Sequence, residues 1–182
     1  MTKIWRIYLM KGTPKDNVPI HDYCFKNKIA AMGWGLYSRN DDIKSGKITI
    51  NSYEDYEKYA KVEPNMGKFY DVRRLACEAK AGDFIWTRVR GEHNLEYYLA
   101  KISPDSKYHY NYSNEAIENE ACNELTNINW KFVGDATVVD TGIINYSRGL
   151  TFCQLIDPDA SEKNRENLEE ALKYTQDIYN KL

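Results

Sequence analysis

The chain has 182 residues, a mass of 21.3 kDa, a formal net charge of -2 and a sequence pI near 6.0. That length bounds it to one domain with a proper core. The slightly acidic balance excludes a global positive field that would draw the protein to phosphate or to an anionic membrane, so any nucleic-acid contact has to come from a local patch.

From the N-terminus, Ile4 to Met10 is rich in β-favouring residues and predicts a strand, ended at Lys11-Gly12-Thr13-Pro14. The first residues lack the apolar core of a secretory signal, and no stretch approaches the ~20 apolar residues of a membrane span, so a cytosolic location without membrane contact is expected. His21-Asp22 reads as a loop pair. Lys28 to Trp34 predicts a second strand, closed by Gly33 and Gly35. Ser52 is placed to cap a helix from Tyr53 to Lys61, with Asp55 at its positive end and Pro64 beyond its stop. Phe69, Val72, Ala76 and Ala79 recur at helical steps and predict an amphipathic helix over 68–80, with Gly82 as its terminator.

The pattern then turns to strands. Phe84 to Val89 and Tyr97 to Ile102 flank a turn-rich segment and predict an antiparallel hairpin. Residues 108 to 129 are polar and give no assignable element, although Tyr108, Tyr110 and Tyr112 alternate. Trp130 to Phe132 and Ala136 to Val139 read as a strand pair broken at Gly134-Asp135. After Asp157-Pro158, Leu168, Leu172, Thr175 and Tyr179 share one face of a helix running from about Glu162 to the end. Strands with early inserted helices make an α+β pattern compatible with a small barrel. The division expected is a domain over 1–157 and a C-terminal helix within 158–182, packed on that domain or used for association.

Few residues suggest chemistry. Cys24, Cys77, Cys122 and Cys153 are scattered without a Cys-x-x-Cys pair and read as reduced thiols rather than metal ligands. The three histidines, His21, His93 and His109, adjoin no nucleophile motif. Asp71, Glu78 and Lys80 have the residue types of a metal-dependent nuclease, but they fall in a helical pattern where a solvated face is the simpler reading. No phosphate-cradling glycine loop occurs, and no cofactor or metal is expected.

What remains is aromatic. The share of Phe, Trp and Tyr is 13%, mostly 15 Tyr, which are rings with a polar edge. Gly33 and Gly35 leave Trp34 at the mouth of a strand, and Trp86 sits within a β-type run with Arg88 on its side. An indole and a guanidinium on one face can stack a base and contact its phosphate; the alternative is that both indoles are core anchors.

The order of strand, Gly33-Trp34-Gly35, inserted helices, Ala81-Gly-Asp-Phe-Ile-Trp86 and Tyr98-Leu-Ala-Lys-Ile102 resembles the PUA-like superfamily, specifically its EVE and YTH-like members. Trp130 to Val139 with Gly149 to Leu155 is similar to the closing portion of versions attached to modification-dependent restriction enzymes and related defence proteins. The resemblance implies a small, strongly bent β-barrel flanked by helices that accepts a modified base, flipped from DNA or exposed in RNA, with a methylated base in DNA as the favoured case. It implies Trp34 and Trp86 as walls and Gly33 and Gly35 as the rim. Proximity in sequence adds Tyr37 and Arg88 to base binding, and Arg90, Arg148 and Lys28 to phosphate binding. Trp130 is a third aromatic with a core role as the simpler reading. The expected function is a non-enzymatic reader of a modified base in nucleic acid, acting alone or with a separate effector protein. The alternative is a sensor of a free nucleotide or other small planar ligand.

Overall fold

A computed structural model of the chain describes residues 1–11, 18–64, 69–90, 94–140, 152–156 and 161–182. It is an α+β structure with mixed sheets and six α-helices, and no closed barrel is found among the described residues. The strands are β1 (Ile4–Ile7), β2 (Met10–Lys11), β3 (Val18–Pro19), β4 (Ala30–Met32), β5 (Phe84–Arg90), β6 (Leu95–Lys101), β7 (Tyr108–Tyr110), β8 (Asn123–Leu125), β9 (Lys131–Asp135) and β10 (Phe152–Gln154). The helices are α1 (His21–Asn27), α2 (Asn40–Lys44), α3 (Tyr53–Ala60), α4 (Tyr70–Arg73), α5 (Asn114–Glu118) and α6 (Glu162–Lys181).

The main sheet has the strand order β10-β1-β5-β6-β9, with β1 and β5 parallel and the other pairs antiparallel. The expected hairpin is its centre: Phe84 pairs with Lys101, and the register runs unbroken to Arg90 and Leu95. Because side chains alternate along a strand, this sheet has two differently covered faces. On the front, Trp5, Ile7, Ile85 and Ala100 join a core with Cys24, Met32, Tyr56, Val72 and Leu75. On the back, Ile4, Phe84, Trp86, Tyr97 and Leu99 pack with Leu168 and Ala171 of α6. A smaller sheet, β4-β8-β7, is antiparallel throughout.

Helix α6 owes its start to Ser161, whose hydroxyl accepts from Asn164 N at 3.1 Å. Its apolar stripe covers the back of the sheet, Trp86 Nε1 donates to Thr175 Oγ1 at 3.2 Å, and the Phe84 and Tyr179 rings meet edge to face at 5.6 Å. Helix α3 uses the expected cap, with Ser52 Oγ accepting from Asp55 N at 3.2 Å.

Four sequence expectations change. His21 lies in helix α1, so the strand that follows begins at Ala30 rather than Lys28. The 68–80 helix is shorter: α4 passes into a π-helical turn over Arg74–Glu78, and Ala79 is already extended. Residues 108 to 129, unassigned from sequence, supply β7, α5 and β8. Trp130 to Val139 is no hairpin, because one strand, β9, runs through Gly134, and the carboxylate of Asp135 takes the Thr137 N–H at 2.8 Å to form a turn.

Two outcomes follow from this packing. Truncating Trp86 to Ala should cost about 3–5 kcal/mol in denaturant titrations, and Thr175→Val, which strands the buried indole N–H, about 1–3 kcal/mol; a loss below ~1 kcal/mol for Trp86→Ala would show that the back core does not depend on it. Cys24, Cys122 and Cys153 are buried and Cys77 is exposed, and burial pushes the Cys24 and Cys122 thiols up to about 12. A colorimetric thiol reagent should therefore label one cysteine in the native protein and four after denaturation.

Candidate functional site

The residue singled out at the end of β4 is conformationally unusual. Trp34 has φ of 54°, a left-handed backbone that a bulky side chain adopts only when its surroundings force it, at a cost of roughly 1–3 kcal/mol. Neither Gly33 nor Gly35 has a positive φ. The turn is thus made by the tryptophan itself, and the glycines do something else.

They allow close approach. A Cβ on Gly35 would lie 2.6 Å from the Tyr37 ring and 3.0 Å from Cys122 Sγ, and one on Gly33 would lie 3.3 Å from the Glu120 carbonyl oxygen. Tyr37 therefore folds back across Gly35, with 44% of its surface exposed. Glu120 is also left-handed, with φ of 49°. Two constrained turns consequently abut at Gly33, with a carboxylate at the rim.

Buried polar side chains hold this turn. The β4–β8 register sets Asn123 opposite Met32, at the end of β4, and from there its amide donates to the carbonyls of Gly33 and Trp34, the latter at 3.2 Å. Tyr108 Oη donates to Asn123 Oδ1 at 2.8 Å, which fixes the orientation of that amide. Tyr56 Oη donates to the same Trp34 carbonyl at 2.9 Å, and Tyr110 Oη accepts from Leu36 N at 2.6 Å. Asn123 is fully buried. The Trp34 side chain remains half-buried, its inner part packed on the front core.

The clamp is uncharged over the physiological range. Burial is the main cause that raises the phenols of Tyr56, Tyr108 and Tyr110 above their ordinary value, with neighbouring phenols or the Cys122 thiol adding to it. Tyr37 is raised by burial first, then by Cys122 and Glu120. Beneath the site, Glu124 is a buried carboxylate that accepts from Tyr23 Oη at 3.3 Å and Asn111 Nδ2 at 2.9 Å, with His109 Nδ1 3.3 Å away.

The remaining expected site residues fall elsewhere. Trp86 is 0% exposed and faces the back core under α6, whereas Trp34 packs on the front core, so the two indoles lie on opposite sides of the main sheet and do not form facing walls. Trp86 is a core anchor; its β-type run and its N–H partner on α6 account for it. Arg88 shares the back face with Trp86, half-buried, its guanidinium 5.7 Å from the Tyr8 ring. It does not reach the Trp34 rim. Arg90 is exposed at the end of β5, and Lys28 caps α1 at the far end of β4 from Trp34. Arg148, like His93, lies outside the described residues. Trp130 is half-buried, donates its Nε1–H to Ile29 O at 2.8 Å and rests on Phe25, so it has a structural partner.

The Asp71, Glu78 and Lys80 set is divided. Asp71 is buried, pairs with Arg74 at 2.9 Å and accepts from Phe152 N at 3.3 Å, while Glu78 and Lys80 line a surface cavity of about 430 Å³ with Met1, Lys3, Cys77 and Asp83. Among the described residues no group of three or more His, Cys, Asp or Glu side chains is placed to hold a metal ion. No helix among them is long and apolar enough to cross a membrane.

Of the expected residues, Trp34, Gly33, Gly35 and Tyr37 fall in this turn, while the sequence assigned no place in it to Asn123, Tyr56, Tyr108, Tyr110 and Glu120. The alternation of Tyr108 and Tyr110 was the one available signal for these partners. The fold and this site define an α+β protein with a rigidly mounted surface tryptophan. No family model, curated protein or solved structure matches the chain.

The raised phenols set an alkaline limit. A group whose folded value exceeds its unfolded one contributes stability that is intact below the ordinary phenol value of about 10 and is lost as pH rises through the folded value. Denaturant midpoints should therefore hold to about pH 10 and then fall, with phenolate absorbance appearing together with unfolding. Ionisation of the whole tyrosine set with no loss of structure would contradict the clamp.

Proposed function

We propose that this chain is a non-enzymatic nucleic-acid-binding module that recognises a modified base, in DNA before RNA, by taking the flipped ring onto Trp34. The observation that supports this most directly is the mounting of that indole: a half-exposed tryptophan in a left-handed turn, pinned through its own carbonyl by two buried donors. Strain maintained by a fully satisfied polar network is a feature of ligand sites, where a rigid aromatic surface spares the binding step the entropy of ordering it.

In this reading Tyr37 supplies the second ring, replacing the sealed Trp86, and Gly33 and Gly35 let the rim close around it. Glu120 stands where a carboxylate could accept from the amino edge of a base. The scaffold is read as a PUA-like, EVE-like domain in a cytosolic protein, with its described sheets as parts of the bent barrel, and a separate effector would act on what the module binds. The charge of -2 and the acidic rim favour one alternative, a sensor of a free nucleotide or another small planar ligand.

Binding to a panel of methylated and unmodified oligonucleotides, single-stranded and duplex, tests this. The wild type should prefer one modified base, and Trp34→Ala should weaken that binding by roughly 1–3 kcal/mol, the value of a stacking contact, while cooperative unfolding is kept. Equal affinity in Trp34→Ala would remove the indole from the site. Binding of free nucleosides as tight as that of the oligonucleotides, and insensitive to salt, would select the small-ligand alternative.

A further inference from the structure

We propose that the back face of the main sheet carries a second ligand site, built on Arg6, that takes a phosphate monoester group. It lies across the sheet from Trp34 and stands independently of the function assigned to that indole.

Polar side chains buried as whole residues are generally partnered, although single buried atoms of His21, Arg39 and Asn40 are not. Asp83, 4% exposed, accepts from Lys3 N at 2.8 Å, Trp5 Nε1 at 2.9 Å and Lys80 N at 3.1 Å. Asp71 has Arg74 and Phe152 N, and Glu124 has Tyr23, Asn111 and His109. Thr87 Oγ1 donates to Ile7 O at 3.1 Å. Arg6 breaks this pattern. It is 4% exposed, its Nε has no hydrogen-bond partner, and among the described residues no carboxylate pairs with its guanidinium. Burying an unpaired charge is among the costliest things a fold can do, and an arginine, unlike a lysine, does not escape by shedding its proton. A cation left in this state implies an anion to fill it.

The strand registers show what surrounds that anion. Arg6 sits opposite Cys153 on β10 and Trp86 on β5. Alternation puts its side chain on the back face, and one same-face step along β5 is Arg88, opposite Tyr97 of β6. Tyr97 is fully buried and its hydroxyl also has no hydrogen-bond partner. Strands lie about 5 Å apart and same-face residues about 7 Å apart along a strand, so these long side chains can converge above the sheet. The unpartnered Arg6 Nε–H and Tyr97 hydroxyl offer donors from two directions to one oxyanion, with the Arg88 charge on the same face. A planar carboxylate would be served by the fork of Arg6 alone, whereas a tetrahedral oxyanion has further oxygens that can take the hydroxyl as well.

Thermal unfolding of the full chain tests this, with inorganic phosphate, a nucleoside monophosphate or a short oligonucleotide without a terminal phosphate, each against chloride at equal ionic strength. The midpoint should rise with inorganic phosphate and with the monophosphate, increasing with concentration as for a ligand that binds only the folded state. Arg6→Met should be at least as stable as wild type in chloride and should lose the phosphate-dependent rise, which separates the site from general salt stabilisation. Tyr97→Phe should match wild type in chloride and show a smaller rise. The proposal is overturned by an absent wild-type response, by an equal rise in Arg6→Met, or by a response to the oligonucleotide alone. It is equally overturned if Arg6→Met is unfolded or less stable in chloride, since the cation would then already be paired.

Discussion

The alternation of side chains along β5 is the constraint on which the rest of the molecule depends. Ile85 and Thr87 point to the front of the main sheet, and Phe84, Trp86 and Arg88 to the back. Because β5 is hydrogen-bonded to β1 on one side and β6 on the other, no rotation can bring a residue from one face to the other without breaking two ladders. This separates the indoles. It gives Trp86 to the core closed by α6 and leaves the front core to support the small sheet and Trp34.

The small sheet has a different task from the large one. Its strands are three residues each, too short to be stable alone, and its buried side chains include Asn123 on one face and Glu124 on the other, where a structural sheet would carry aliphatics. Replacing such polar residues with apolar ones of similar size often leaves a fold equally stable. What they supply instead is orientation: Tyr108 fixes the Asn123 amide, Asn123 and Tyr56 fix the Trp34 carbonyl, and Tyr110 fixes the next turn through Leu36. The Trp34 turn is thus tied to the core by hydrogen bonds to its carbonyl as well as by the packing of its indole.

Much of the fold was legible because it rests on local rules. Ser52 and its helix, the central hairpin and the amphipathic C-terminal helix each follow from spacing within one segment. The failures share another cause. The clamp joins positions 34, 56, 108, 110 and 123, and nothing within any one of those segments says that Asn123 will end beside Trp34; that follows from the β4–β8 register, a pairing across about 90 residues. Helix α1 was missed because its N-cap, Ile20, has no side chain able to cap it. Trp86 was misplaced for a related reason. An indole in a β-type run looks the same whether a ligand or a distant helix covers it, and Thr175, 89 residues away, decides the matter.

The positions of the cations bear on how a ligand at Trp34 could be held. A reader that grips backbone phosphate collects lysines and arginines around its pocket and derives much of its affinity from released counterions. Here Arg88 is on the back face, Lys28 is at the opposite end of β4, and Lys26 faces Glu115 at 3.9 Å. A carboxylate oxygen of Glu120 lies by Gly33, at the turn that carries the indole. On the proposed reading, affinity at this rim comes from stacking and from hydrogen bonds to the edge of a ring, interactions that discriminate between bases while adding little non-specific attraction to the polymer. On that same proposed reading the site would be selective before it is tight, because a carboxylate that can accept from an amino edge also repels a neighbouring phosphate.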